Sequence, residues 1–323
     1  LFTIMVVRAL FLEGASDGLT AFFTPNWEAL LDANVWIAAY SQIFFSLSIA
    51  FGIMIAYSSY QRRKANMTSS GLVVAFANSS FELLAGIGVF ATLGFLAFQQ
   101  KVEIAELEGL TGPILSFVTF PAVISQMPGG NIFGVVFFAS LVMAGFTSLI
   151  SILLGVAATV QEKFGLSRRA AAISVSAVCA VISIGLFSTT SGLLALDTVD
   201  QFANNVGIVL SAILMTVLVV WVVRKGELLR SHLNAVSTFP LGRWWLALLG
   251  IVSPVFLLVM LGQKLVSLIQ DGYEGLPAWY IGVFGWGTIA FVVVMAAILT
   301  AIPWKGRDKA DFRPWPELEE ERD

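Results

Sequence analysis

Long apolar runs separated by short polar connections set the pattern of this chain. Val206 to Val223 reads VGIVLSAILMTVLVVWVV, and residues 281–302 are likewise free of charge. Each is long enough to cross a bilayer, since about 20 apolar residues span the hydrocarbon core as a helix. The same pattern predicts seven complete spans, at approximately 35–60, 71–98, 131–160, 169–190, 203–223, 245–269 and 280–303. Residues 1–12 open LFTIMVV, starting at Leu1 and not at a Met, and read as the end of a span already under way, so the sequence is expected to be truncated at its N-terminus. No run alternates like a barrel strand, and lipid offers the backbone no hydrogen bonds, so every span should be helical. The predicted fold class is an all-α polytopic membrane protein. Its parts are an extracytoplasmic loop at 13–34, a transmembrane core at 35–303 and a tail at 304–323.

Composition and charge sharpen this picture. Of the 323 residues, 58% are hydrophobic and only 12% charged, about half the charge of an ordinary soluble domain. Of the 18 Lys and Arg residues, all but Arg8, Lys101 and Lys264 fall in the tail or in the connections after 35–60, 131–160 and 203–223. Basic residues mark the cytoplasmic side, so those segments and the C-terminus are expected inside. Trp27, Trp36, Trp244, Trp245, Trp279 and Trp304 lie near span ends, as interfacial anchors do. Gln99 to Gly130 is a long outer connection, apolar yet punctuated by Pro113, Pro121 and Pro128, and is expected to pack back as short helices. The tail DKADFRPWPELEEERD reads as solvated and disordered. A single cysteine, Cys179, and a single histidine, His232, leave no disulfide framework and no Cys/His metal motif. A Gly-rich phosphate loop and an identifiable nucleophile–base pair are also lacking, and Asp197 and Asp200 fall at an outer span end, so an enzyme is not indicated.

Polar groups at membrane depth are costly and point to function, and three clusters of them lie inside predicted spans. In QIFFSLSIAFG, Gln42 to Gly52, Ser46 and Ser48 are two residues apart. One regular helix cannot aim both at the same partner, whereas an unwound turn could, baring carbonyls as further ligands. Alternatively, small residues here serve only close helix packing, with each serine bonded back to its own helix. In VVAFANSSFELLAGIG, Asn78 and Glu82 are four apart and share a helix face; a carboxyl group at this depth is a candidate proton relay or a structural hydrogen-bonder. In AGFTSLISILLG, Ala144, Thr147 and Ser148 place a carbonyl and two hydroxyls on one stripe, with Ile152 beyond. Uncharged oxygens suit a hard monovalent cation better than zinc or iron, although hydroxylic residues are also common between packed helices.

Taken in order, VWIAAYSQIFFSLSIAFG, the Asn-Ser-Ser-x-Glu segment at 78–82, TFPAVISQMPGG, AGFTSLIS and EKFGLSRRAA closely resemble the neurotransmitter:sodium symporter family, most of all its bacterial leucine-transporter-like branch. The resemblance covers nearly the whole chain, from the end of the family's fifth helix through its twelfth. It implies a partial leucine-transporter-type inverted-repeat fold with discontinuous helices at its centre. It also implies that the family's first four helices, and most of the fifth, are missing, and that the chain alone transports nothing.

Residue by residue, the resemblance makes Phe45 the lid over the substrate, and Ser48, Phe51 and Ile152 the substrate pocket. Ser46 and Asn78 match one sodium site; the Ala144 carbonyl and the Thr147 and Ser148 hydroxyls match the other. Gln42 and Asp200 match the outer gate, and Tyr60 and Glu162 the cytoplasmic gate, with Glu162 in place of the usual aspartate. Glu82 stands where chloride-dependent members carry a serine, which implies chloride independence, with proton release and uptake accompanying the return step. The implied function is sodium-coupled import of a neutral, hydrophobic amino acid by alternating access. The implied cargo is sodium at two sites, each incomplete without the family's first helix, with no organic cofactor. The implied partners are a small amino acid and the lipid bilayer of a bacterial inner membrane, with no nucleic acid. A carrier of another broken-helix family, or a seven-helix receptor or sensor, are the competing readings.

Overall fold

The computed structural model describes residues 2–62, 64–107, 116–117, 120–126 and 129–305. The tail expected to be disordered lies outside the described residues from 306 onward, and so do Pro113 and Pro128 of the outer connection. Every regular element among the described residues is helical. In chain order they are α1 (Phe2–Ala9), α2 (Ala15–Phe23), α3 (Ala33–Ser46), α4 (Ile53–Ser59), α5 (Met67–Gln100), α6 (Phe120–Gln126), α7 (Gly130–Phe164) and α8 (Arg168–Phe187). After them come α9 (Gly192–Val222), α10 (Gly226–Asn234), α11 (Arg243–Gln270) and α12 (Ala278–Ala301). Six of these, α5, α7, α8, α9, α11 and α12, are long and apolar enough to cross a membrane. The remaining predicted span, 35–60, is not one helix but two, α3 and α4.

Three boundaries differ from the sequence pattern. The helix predicted from 203 begins at Gly192, because Asp197 and Asp200 interrupt the apolar run without interrupting the backbone ladder. Asp197 and Asp200 therefore lie within the first turns of α9. The loop expected at 13–34 contains α2, whose sequence ASDGLTAFF is too short and mixed to carry a clear period. The connection after α9 contains α10, where Arg230 Nε donates to Glu227 Oε2 at 2.7 Å.

Contacts divide the chain into two units, Leu1–Trp36 with Val73–Ile150, and Ile37–Leu72 with Ser151–Asp323. In the first, α2 and α5 touch backbone to backbone. A Cβ on Gly18 would lie 1.8 Å from the Phe90 carbonyl oxygen, and one on Gly94 2.3 Å from that of Gly14. Small residues permit this approach, and Phe22 stacks on Phe90 with centroids 4.7 Å apart. Ala91, Phe95, Ile124 and Phe137 are buried where α5, α6 and α7 meet.

In the second unit the core centres on Phe202 and Leu257, both fully buried. Gly285 of α12 faces the Phe202 ring, and a Cβ there would come within 2.6 Å of it. The Trp221 indole N–H donates to the Gly250 carbonyl at 2.8 Å, joining α9 to α11. α3 is fixed to the same core by Tyr40, whose ring lies 4.4 Å from that of Phe256, and by Phe44. Lys163, only 5% exposed, closes the far end of α7. Its ammonium donates to the Ile302 carbonyl at 2.8 Å and sits 4.6 Å from the Trp304 ring centre, while the Lys305 N–H donates to the Lys163 carbonyl at 3.0 Å.

Candidate functional site

From Leu47 to Gly52 the chain is not helical. α3 ends in a Schellman closure, in which the Ser48 N–H donates to the Phe45 carbonyl and the Ile49 N–H to the Phe44 carbonyl, both at 3.0 Å. These bonds satisfy carbonyls that a helix end otherwise leaves open, and they require a left-handed residue just beyond the helix, usually glycine. Here that residue is Ser48, at φ 52°; Ala50 follows at φ 66° and Gly52 at φ 79°. A side chain in this region costs about 1–2 kcal/mol per residue, and such strain concentrates at functional sites. The packing-only reading of the serines accounts for Ser46 in part, since its hydroxyl donates to the Ile43 carbonyl at 3.4 Å. It does not account for a helix that stops at that residue.

The interruption brings Phe45 and Phe51 together, their rings edge to face with centroids 6.2 Å apart. Phe45 is exposed, while Ser46, Ser48 and Phe51 are half-buried. Ile152, on α7, belongs to the same unit and is exposed. Gln42 is exposed on α3, four residues before Ser46.

The first unit holds the other oxygen ligands in question. On α5 the Asn78 amide donates to Glu82 Oε1 at 3.2 Å, and both side chains are half-buried. On α7 the Thr147 hydroxyl lies 2.9 Å from the Ala144 carbonyl and 3.0 Å from that of Met143. Ser148 is the next residue along. Two uncharged oxygens so close together can turn lone pairs towards one hard cation once the hydroxyl hydrogen swings aside. Ser46 and Asn78, matched to one sodium site by resemblance, fall in different units.

At the gate positions, the Asn204 amide donates to Asp200 Oδ1 at 2.8 Å, and Asp200 itself is exposed. Tyr60 is exposed beyond the end of α4, with the Arg168 guanidinium 6.0 Å from its ring centre. Glu162 is exposed in the last turn of α7. The sequence did not point to Arg168 in this place.

Two further contacts escape sequence reasoning because their members are far apart in the chain. The Tyr273 hydroxyl donates to Asp197 Oδ2 at 2.5 Å, tying the connection before α12 to α9. Burial pushes the Tyr273 phenol above its ordinary range; the hydrogen bond to Asp197 and the charges of Asp197, Glu274 and Asp200 push the same way. Tyr57 of α4 and Ser151 of α7 share a hydrogen bond of 2.5 Å.

Comparison with known proteins adds a family. The sequence profile described as "Sodium:neurotransmitter symporter family" matches residues 1–306. The chain is 39% identical over 302 residues to an uncharacterized sodium-dependent transporter of Methanocaldococcus jannaschii, covering 93% of this chain and 60% of that protein. It is 28% identical over 307 residues to the human sodium- and chloride-dependent neutral and basic amino acid transporter B(0+), covering 93% of this chain and 48% of that one. Over another 307 residues it is 30% identical to a sodium- and chloride-dependent GABA transporter of Drosophila melanogaster, covering 91% of this chain and 32% of that one. The chain thus spans from 32% to 60% of the length of these relatives.

Proposed function

Because the chain belongs to the sodium:neurotransmitter symporter family, a family of carriers and not of enzymes, we propose that it forms part of a sodium-coupled importer of a neutral amino acid working by alternating access. The observation that carries this reading is the interruption between α3 and α4. A break at membrane depth is tolerated where it lines a cavity, and this one gathers two aromatic rings and two serines at a strained backbone.

In this reading Phe45, Phe51 and Ile152 contact an aliphatic or aromatic side chain, and Ser48 supplies a polar contact. Ser46 and Asn78 are each sodium ligands, and a further sodium ion uses the Ala144 carbonyl with Thr147 and Ser148. Sodium drives import because both ions favour the outward-facing, substrate-competent state and are lost when it opens inward. Gln42 and Asp200 close the outer side, and Tyr60 and Glu162 the cytoplasmic side, of a protein set in a bacterial inner membrane with its C-terminus in the cytoplasm. The names of the human and fly relatives, an amino acid transporter and a GABA transporter, agree with a small zwitterionic solute.

Glu82 takes the part that chloride plays in chloride-dependent members. Its carboxyl group accepts from Asn78, so an acid already stands beside a proposed sodium ligand, and proton uptake there balances the return of the empty carrier. Gradient-driven uptake in vesicles bearing the protein that carries this chain tests both parts. Uptake should need a sodium gradient and persist when gluconate replaces chloride. Glu82→Ser should make uptake depend on chloride. Uptake without sodium refutes the carrier reading, and a chloride requirement unchanged by Glu82→Ser refutes the assignment of Glu82.

A further inference from the structure

The inner half of the broken helix is short. α4 has seven residues, too few to be a stable helix by itself, because isolated helices below about 12–15 residues are marginal in water. Its place is therefore set by what it rests on. Within its unit, Ile53 and Ala56 are buried. Gly155 of α7 lies against the backbone at the start of α4, where a Cβ would sit 3.7 Å from the Gly52 carbonyl and the Ile53 nitrogen. Between the two helices, the Tyr57 hydroxyl and the Ser151 hydroxyl share a hydrogen bond at 2.5 Å. Both groups can donate and both can accept.

We propose that the Tyr57–Ser151 hydrogen bond is the latch that holds α4 against α7, and that it must break for the inner half-helix to swing away and release solute inward. The inference rests on the carrier reading above. The position suits the role. Ser151 adjoins Ile152 of the proposed solute pocket and lies three residues beyond Ser148 on the same helix. A half-helix that moves needs a hold stronger than a glancing glycine contact and weaker than a packed core. A single hydroxyl pair offers that, since losing one neutral hydrogen bond shifts an equilibrium by about three- to tenfold. Tyr57 and Ser151 are positioning residues here, acting on the solute through α4.

The latch can be read without solute or sodium. In a Cys179→Ser background, Ile53→Cys places a thiol on the buried face of α4, which a membrane-impermeant maleimide reaches only when α4 leaves α7. Tyr57→Phe and Ser151→Ala should each speed labelling by about three- to tenfold, and the double variant should label no faster than either alone. Ser151→Thr, which retains the hydroxyl, should label at the parent rate. Equal rates in all variants overturn the latch, and so does a double variant whose rate is the product of the single effects. Because labelling needs no ligand, the two readings fail separately. Sodium-independent solute binding with shifted labelling sinks the carrier reading alone. Intact sodium-dependent binding with unshifted labelling sinks the latch alone.

Discussion

The interruption after α3 makes a quantitative prediction through Gly52 and Ala50. Both have positive φ, 79° and 66°, yet one is glycine and the other carries a methyl group. Nothing lies within 4 Å of a Cβ built on Gly52, so Gly52→Ala meets no clash and its cost is conformational only. That cost is about 1–2 kcal/mol, a factor of about 5–30 in an equilibrium. Ala50→Gly removes the same strain, but it loosens the unfolded chain by about 0.4–1 kcal/mol and gives up a half-buried methyl. The net gain for Ala50→Gly is therefore smaller, at most about 1 kcal/mol. Amide hydrogen exchange of α4 and of the last turn of α3 reads both effects directly. Exchange should quicken in Gly52→Ala and slow in Ala50→Gly. If both variants move in one direction, or if Gly52→Ala leaves exchange unchanged, the left-handed geometry proposed to hold the break open is wrong.

Other perturbations have equally definite outcomes. Lys163→Met keeps the buried stem but loses a hydrogen bond from a charged donor, worth about 1.5–3 kcal/mol, and the contact with Trp304. The thermal midpoint in detergent should fall, while Lys163→Arg should fall less. Tyr273 holds its proton more tightly folded than unfolded, its value being raised above 10.0. It therefore contributes stability that is fully present below about pH 10 and lost as pH rises through the raised value. Above pH 10 the parent protein should lose stability more steeply than Tyr273→Phe, by denaturant titration at fixed pH. Thr147→Val removes an oxygen while preserving shape, and should raise the sodium concentration needed for half-maximal solute binding by at least about tenfold, consistent with losing one ligand of a hard ion.

The long apolar helices were legible because lipid leaves a spanning backbone one option, and runs such as Val206 to Val223 hold no charge. The break was legible only indirectly, from two serines at a spacing that no single helix face accommodates. Its chemistry was hidden, because Ser48 and Ala50 are not residues that announce a left-handed turn, as Gly52 does. The start of the α9 helix was hidden for the opposite reason: Asp197 and Asp200 look like a boundary, yet they sit inside a helix where Tyr273 and Asn204 engage them. Contacts made across long separations, 94 residues for Tyr57 with Ser151 and 139 for Lys163 with Ile302, leave no local pattern to read. The order of motifs along the chain carried the family, whereas the meeting of Phe45 with Phe51 had to be seen in three dimensions.

At the centre of the proposal stands a gap between two half-helices where a small cation and a zwitterion would be bound together. Saturation binding of a radiolabelled neutral amino acid to the protein that carries this chain, in sodium gluconate against potassium gluconate, tests it most directly. Saturable binding in sodium that vanishes in potassium, and that weakens in Ser46→Ala, is the outcome expected. Binding of equal strength in the two salts would contradict it.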